Sequence, residues 1–157
     1  MREIVLRPPN EADIATLEGW FEDAELRNRL GGVLPVREWC EFVAHEPDYF
    51  ALLAWDADTP VGFAAFEVYE GRWASMFHLV DPQLRNRGYG KAILRALLAR
   101  PELDPLGWIE ASVEPDNVAS IRCFRSAGFE QPSPEPDADG LLKLVHRLPA
   151  AEGAHRQ

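Results

Sequence analysis

The run LVDPQLRNRGYGKAILRALLAR, residues 79–100, constrains the fold of this chain more than any other stretch. It opens apolar, breaks at Asp81-Pro82, and places three cations and two glycines within residues 85–91. It then takes helical periodicity, with Ile93, Leu94, Leu97 and Leu98 as one stripe, and Pro101 ends the helix. A strand leading into an amphipathic helix implies a sheet with that helix packed on it. The turn between them has a chemical reading too. A helix start exposes N–H groups and a partial positive charge, which suit phosphate oxygens. Gly88 and Gly90 leave the backbone open to an approaching ligand. Arg85, Arg87 and Lys91 add charge-assisted contacts. The alternative is an ordinary polar turn. No G-x-x-x-x-G-K-[ST] run is present, and no G-x-G-x-x-G with a ribose-binding acid follows a strand, so nucleoside-triphosphate and dinucleotide loops are not supported.

The rest of the chain supplies the sheet. IVLR (4–7) predicts a strand ended by Pro8-Pro9. Asn10 predicts the cap of a helix from about Glu11 to Phe21, with Asp13 at its third position. Ile14, Leu17, Trp20 and Phe21 share one face of that helix. RNRLGGVLP reads as a loop, and a second helix begins at Pro35, burying Val36, Trp39, Cys40 and Val43. Strands follow at 49–56, 61–70 and 72–80, the first two joined by a hairpin-like turn. GWIEASVE (107–114) alternates, with Ile109, Ala111 and Val113 on one face and Glu110, Ser112 and Glu114 on the other. Asp116 or Asn117 caps a last helix ending before Gly128, and 140–148 is a final strand. The order β-α-α-β-β-β-α-β-α-β predicts one α/β or α+β domain over residues 1–148, with helices on both sides of the sheet. Residues 130–140 are a Pro- and acid-rich loop, and 149–157 a flexible polar tail.

Bulk properties exclude several functions. A net charge of −10 disfavours nucleic acid as a partner. Acid can attract a cationic substrate, or simply keep the protein soluble. Cys40 and Cys123 lack metal-ligand spacing, and no apolar run reaches membrane-span length. A cytoplasmic protein without metal or membrane partner is expected, as monomer or homodimer.

Three motifs carry a resemblance. LVDPQLRNRGYGKAIL resembles the acetyl-CoA-binding motif of the GNAT superfamily of N-acetyltransferases. EPDNVASIRCFRSAGFE is similar to that family's downstream signature, with Asn117, Ser120, Ile121, Phe124, Gly128 and Phe129 in register. IVLRPPNEADIATL resembles its usual opening. The three occur in the family's order and span about residues 4 to 130. The resemblance implies a mostly antiparallel mixed sheet, acetyl-CoA as co-substrate, and transfer of an acetyl group to a primary amine. It implies that MFHLV binds the pantetheine arm through backbone groups. It implies a pyrophosphate held at about Arg87 to Lys91, Tyr89 included, with Asn117 and Phe124 also near the cofactor.

That reaction needs a neutral amine, an oxyanion stabiliser and a route for the departing thiolate. The resemblance puts the oxyanion on backbone N–H groups near Leu79 or Val80. Phe124 stands where many members have a tyrosine, and it has no proton to give. Ser120 and bound water are equal substitutes, and Tyr89 is another hydroxyl nearby in sequence. His78 is either a base, directly or through water, or a buried hydrogen-bonded histidine. Glu110 is the preferred carboxylate, ahead of Glu114 and Glu67; such a carboxylate steers a cationic amine or takes its proton, or belongs to a solvated sheet face. Trp73 and Trp108 are core residues or a substrate platform. The acceptor pocket is expected from residues 21–46 and from 67–71. Small amines, polyamines, aminoglycoside-like molecules and peptide N-termini are the candidate acceptors. A catalytically weak acyl-CoA-binding sensor is the alternative.

Overall fold

The computed structural model describes residues 3–150, so most of the tail expected at 149–157 lies outside the described residues. Six strands form one sheet in chain order: β1 (Ile4–Arg7), β2 (Tyr49–Asp56), β3 (Thr59–Tyr69), β4 (Trp73–Val80), β5 (Trp108–Val113) and β6 (Leu142–Arg147). Every neighbouring pair is antiparallel except β4 and β5, which run parallel. Parallel neighbours need a crossover. The helix α4 (Tyr89–Leu98) supplies it, as the strand–turn–helix run predicts.

Before β2 come α1 (Glu11–Trp20), α2 (Ala24–Arg29) and α3 (Val36–Ala44); α5 (Val118–Ser126) lies between β5 and β6. The capping box at α1 is complete, Asn10 and Asp13 each accepting the other's backbone N–H. The loop expected at RNRLGGVLP is instead the end of α2 and a single 3-10 turn at Gly31–Val33. Asp23 starts α2 by accepting the Leu26 N–H at 3.1 Å, and Leu26 alone is buried from it. One apolar anchor in six residues is too few to show a helical period.

The two faces of the sheet bury separate cores. Ala64, Phe66, Ala74, Met76, Ile109 and Ala111 pack with Ile93, Leu94 and Leu97 of α4 and with Phe124 of α5. Leu53, Phe63, Ala65 and Leu79 face Leu17, Trp20, Val36 and Cys40 on the α1–α3 side. Alternation therefore assigns faces: Met76, His78 and Val80 look toward α4 and α5, Phe77 and Leu79 toward α3.

One irregularity positions the site. β4 and β5 are paired only at Trp73↔Trp108, Ala74↔Ile109 and Ser75↔Glu110. β5 stays paired with β6 through Val113, and β4 with β3 through Val80. The sheet thus parts along the middle, and backbone groups of Met76–Val80 that would serve β5 face a gap. Backbone polar groups cannot be left buried without partners, so this gap is a place for a ligand or water.

Candidate active site

A cleft of about 1150 Å³ opens at the parting, large for a small metabolite and suited to a long cofactor. Met76–Val80 form one wall and Ala111–Glu114 the other, with the starts of α4 and α5 at its outer end. His78, Leu79, Val80, Arg85 and Ser120 line it, as do Gly88, Tyr89, Gly90, Lys91, Asn117 and Phe124. Arg87 and Glu110 lie outside that lining.

The start of α4 suits an anion. Gly88 caps it in the left-handed region at φ 85°, after Asn86 at φ 65°, so the turn curls tightly. No side chain caps this helix, and its first backbone bond runs from Ala92 N to Gly88 O at 3.2 Å. The N–H groups of its first turn therefore have no acceptor inside the helix. Gly90 has ordinary φ, and its value is space. A Cβ there would stand 3.7 Å from Cys123 Sγ, 3.7 Å from Val80 Cγ2 and 3.8 Å from His78 Nε2. A methyl would fit, but a longer side chain would fill the passage between α4, β4 and α5. This cradle fits a pyrophosphate followed by a narrow arm.

Several side chains are engaged elsewhere. Arg85 donates to both Asp23 oxygens, at 3.3 and 2.7 Å, and lies 3.7 Å from Glu25, so α2 already engages the guanidinium. That contact holds the Asp23 carboxyl below its usual range. The Tyr89 hydroxyl donates to Asp56 at 2.7 Å, which takes it toward the β2–β3 turn. Asn117 Oδ1 accepts the Ser120 N–H at 3.3 Å, capping α5. Lys91 is exposed at the cradle.

His78 faces the cofactor side of the cleft. Its ring meets Phe124 edge-on at 5.1 Å, and its Nε2 lies 3.7 Å from Cys123 Sγ. Its Nδ1 is buried without a hydrogen-bond partner. Burial pushes the imidazole down to about 4, against a smaller opposing pull from the Gly90 backbone. A base that weak is poorly matched to an alkylammonium near 10. The ring is half-buried at the cleft wall, packed on Phe124 and Cys123, without the Nδ1 hydrogen bond expected of a buried histidine. Phe124 is 3 % exposed and also packs on Phe129 at 4.9 Å, so it is a core residue forming the floor of the cleft.

Glu110 is on the other side of the sheet. It accepts from Trp108 Nε1 at 3.0 Å and pairs with Lys143 Nζ at 3.4 Å. Its position ends the paired part of β4 and β5, so it borders the parting from the opposite face.

Sequence reasoning passed over Arg29. It lines the cleft from α2 and bonds Asp116 at 2.7 Å and Glu114 at 3.2 Å. The Asp23-x-Glu25 start was the available signal for the helix that carries it.

The model of the Acetyltransferase (GNAT) family matches residues 13–129. The chain belongs to the GNAT family. It is 36% identical over 137 residues to the uncharacterized N-acetyltransferase YfmK of Bacillus subtilis (strain 168), covering 87% of this chain and 92% of that one. In fold it is similar to aminoglycoside acetyltransferase AAC(6')-Ib in complex with coenzyme A, with TM-score 0.76 and 22% identity. That superposition covers 99% of this chain and 100% of the other. Spermidine N-acetyltransferase from Vibrio cholerae, in complex with CoA and spermine, superposes with TM-score 0.80 at 12% identity, covering 96% and 98%. As a GNAT enzyme the chain is an acetyl-CoA-dependent N-acetyltransferase, and the mixed, mostly antiparallel sheet with helices on both faces is the family fold.

Proposed function

We propose that the protein transfers an acetyl group from acetyl-CoA to a primary amine by direct attack. The observation that carries this reading is the parting of β4 and β5 below a helix start with no side-chain cap. The first turn of α4 would hold the pyrophosphate, with Lys91 beside it, and Gly90 lets the arm pass. β4 backbone groups near Leu79 and Val80 face the gap and are placed to stabilise the oxygen of the thioester carbonyl as it gains charge. The ammonium first gives a proton to water; the C–N bond then forms as the C–S bond breaks, the proton released by the attacking nitrogen passes through water or the Ser120 hydroxyl to the departing sulfur, and CoA leaves as its thiol.

The amine enters from the face opposite α4 and α5. Glu110 borders the gap there and attracts an ammonium group before attack. His78 takes no proton in this scheme; it packs the cofactor side. The departing sulfur is served by water or by the Ser120 hydroxyl, since Phe124 carries no hydroxyl and lies in the core. The test is release of CoA thiol over a panel of amines, with alcohols and carboxylates as controls. Turnover restricted to amines is expected. Turnover with non-amine acceptors alone overturns the reading.

A further inference from the structure

We propose that Asp56 is a positioning residue for the cofactor: it holds Tyr89, and through it the first turn of α4, in the shape that receives the pyrophosphate. This rests on the reading of that turn as the pyrophosphate site and goes further by naming what fixes its shape. Gly88 caps α4 without a side-chain bond, and both Asn86, at φ 65°, and Gly88, at φ 85°, are left-handed. Asparagine enters that region more readily than most residues, but at a cost. Such a backbone keeps one conformation only where its surroundings fix it.

Aspartates from distant parts of the chain grip the turn on either side. Before it, Arg85 donates to both oxygens of Asp23. After it, the Tyr89 hydroxyl donates to Asp56 Oδ2 at 2.7 Å. Tyr89 is the first residue of α4, so this bond acts on the turn whose N–H groups lack acceptors in the helix. The two aspartates differ in how firmly they are placed. Asp23 starts a six-residue helix with one buried side chain. Asp56 closes β2 and pairs with Ile4 of β1 and Thr59 of β3.

The sheet also aims Asp56. Leu52 and Ala54 pack on the α4 side, and alternation turns Asp56 the same way. Val61 stands between Pro60 and Gly62, which pair with the adjacent Trp55 and Ala54, so β3 carries one extra residue there. A bulge of this kind bends its strand. The Val61 carbonyl accepts the Asp81 N–H at 2.9 Å, which ties the β2–β3 end to the residue that follows β4. The hairpin end, the exit of β4 and the start of α4 are thus joined. The charge of Asp56 gives the inference a sign. A carboxylate near a phosphate site repels the ligand. Were Asp56 only a surface charge, its removal would tighten cofactor binding. As a positioning residue, its removal weakens it.

The test is calorimetry with CoA. Asp56→Ala should weaken binding about tenfold. Tyr89→Phe, which loses only the hydroxyl, should weaken it to a similar extent, and the double variant should bind no more weakly than either single one. Asp56→Asn keeps an oxygen acceptor for the Tyr89 hydroxyl and sheds the charge, so it should bind CoA at least as tightly as the parent. Unchanged or tighter binding in Asp56→Ala and Tyr89→Phe, losses that multiply in the double variant, or Asp56→Asn as weak as Asp56→Ala, each overturn the positioning role. Gly90→Glu is measured alongside. If it leaves CoA affinity unchanged, the pyrophosphate reading falls and the positioning role with it. If it weakens CoA binding while Asp56→Ala and Tyr89→Phe do not, the positioning role alone falls.

Discussion

Two helices begin at the cleft, and they begin differently. α5 is capped by its own Asn117 side chain, which accepts the Ser120 N–H. α4 begins at a left-handed glycine with no side-chain cap. Both helix starts carry the same partial positive charge. α5 has its own side-chain acceptor there and α4 does not. The difference is one of capping: a capped start stabilises the chain, and under the proposed function the α4 start keeps its polarity for the pyrophosphate. Gly90 in the first turn of α4 and His78 on β4 both approach Cys123 of α5.

Three measurements sharpen or break this contrast. The largest effect concerns His78, packed against α5 through Phe124 and Cys123. Its lowered pKa means the unfolded chain binds a proton more readily than the folded one. Stability contributed by the neutral imidazole is complete above about 6.5 and is lost as pH falls toward about 4. The loss reaches about 3 kcal/mol across that window. His78→Leu should flatten this part of the urea-unfolding profile relative to the parent. An identical pH slope in both proteins would show that the cleft wall does not hold the imidazole neutral.

Next is Gly90→Glu. It fills the passage and repels phosphate at the open helix, so acetyl-CoA affinity should fall about 100-fold, close to 2.7 kcal/mol. Calorimetry reads this directly, and an unchanged affinity would place the pyrophosphate elsewhere. Smallest is Asn117→Ala. Losing a cap costs about 1 kcal/mol of stability, with less loss of acetyl-CoA affinity than Gly90→Glu produces. Equal affinity losses in the two variants would erase the distinction between the helix starts.

The fold was legible where local chemistry repeats. Asn10 and Asp13 form the box their spacing suggests. Ile109, Ala111 and Val113 are all buried, as their alternation requires. α2 was hidden because a single buried leucine leaves no period to read. The site was legible only in part. The glycine-rich turn is a property of adjacent residues, and sequence shows it. Where β4 stops pairing with β5 is a property of two strands separated by a helix, and no spacing encodes it. For the same reason Glu110 could be given a polar face but not its place at the edge of the gap. The pairing of Arg85 with Asp23 was not legible, because the two lie 62 residues apart. Trp73 and Trp108, expected as core or as a substrate platform, stack on one another half-buried.

The short helix α2 has a mechanical meaning. Asp23 at its start grips Arg85 on one lip of the cleft, and Arg29 at its end grips Glu114 and Asp116 on the other. The sheet behaves as two ribbons joined at three residue pairs, and α2 is the tie-bar across their open ends. The tie is made of partly exposed ion pairs, which water and salt weaken. Under the proposed function, the aperture that would admit the thioester is therefore held by a fastening that salt loosens.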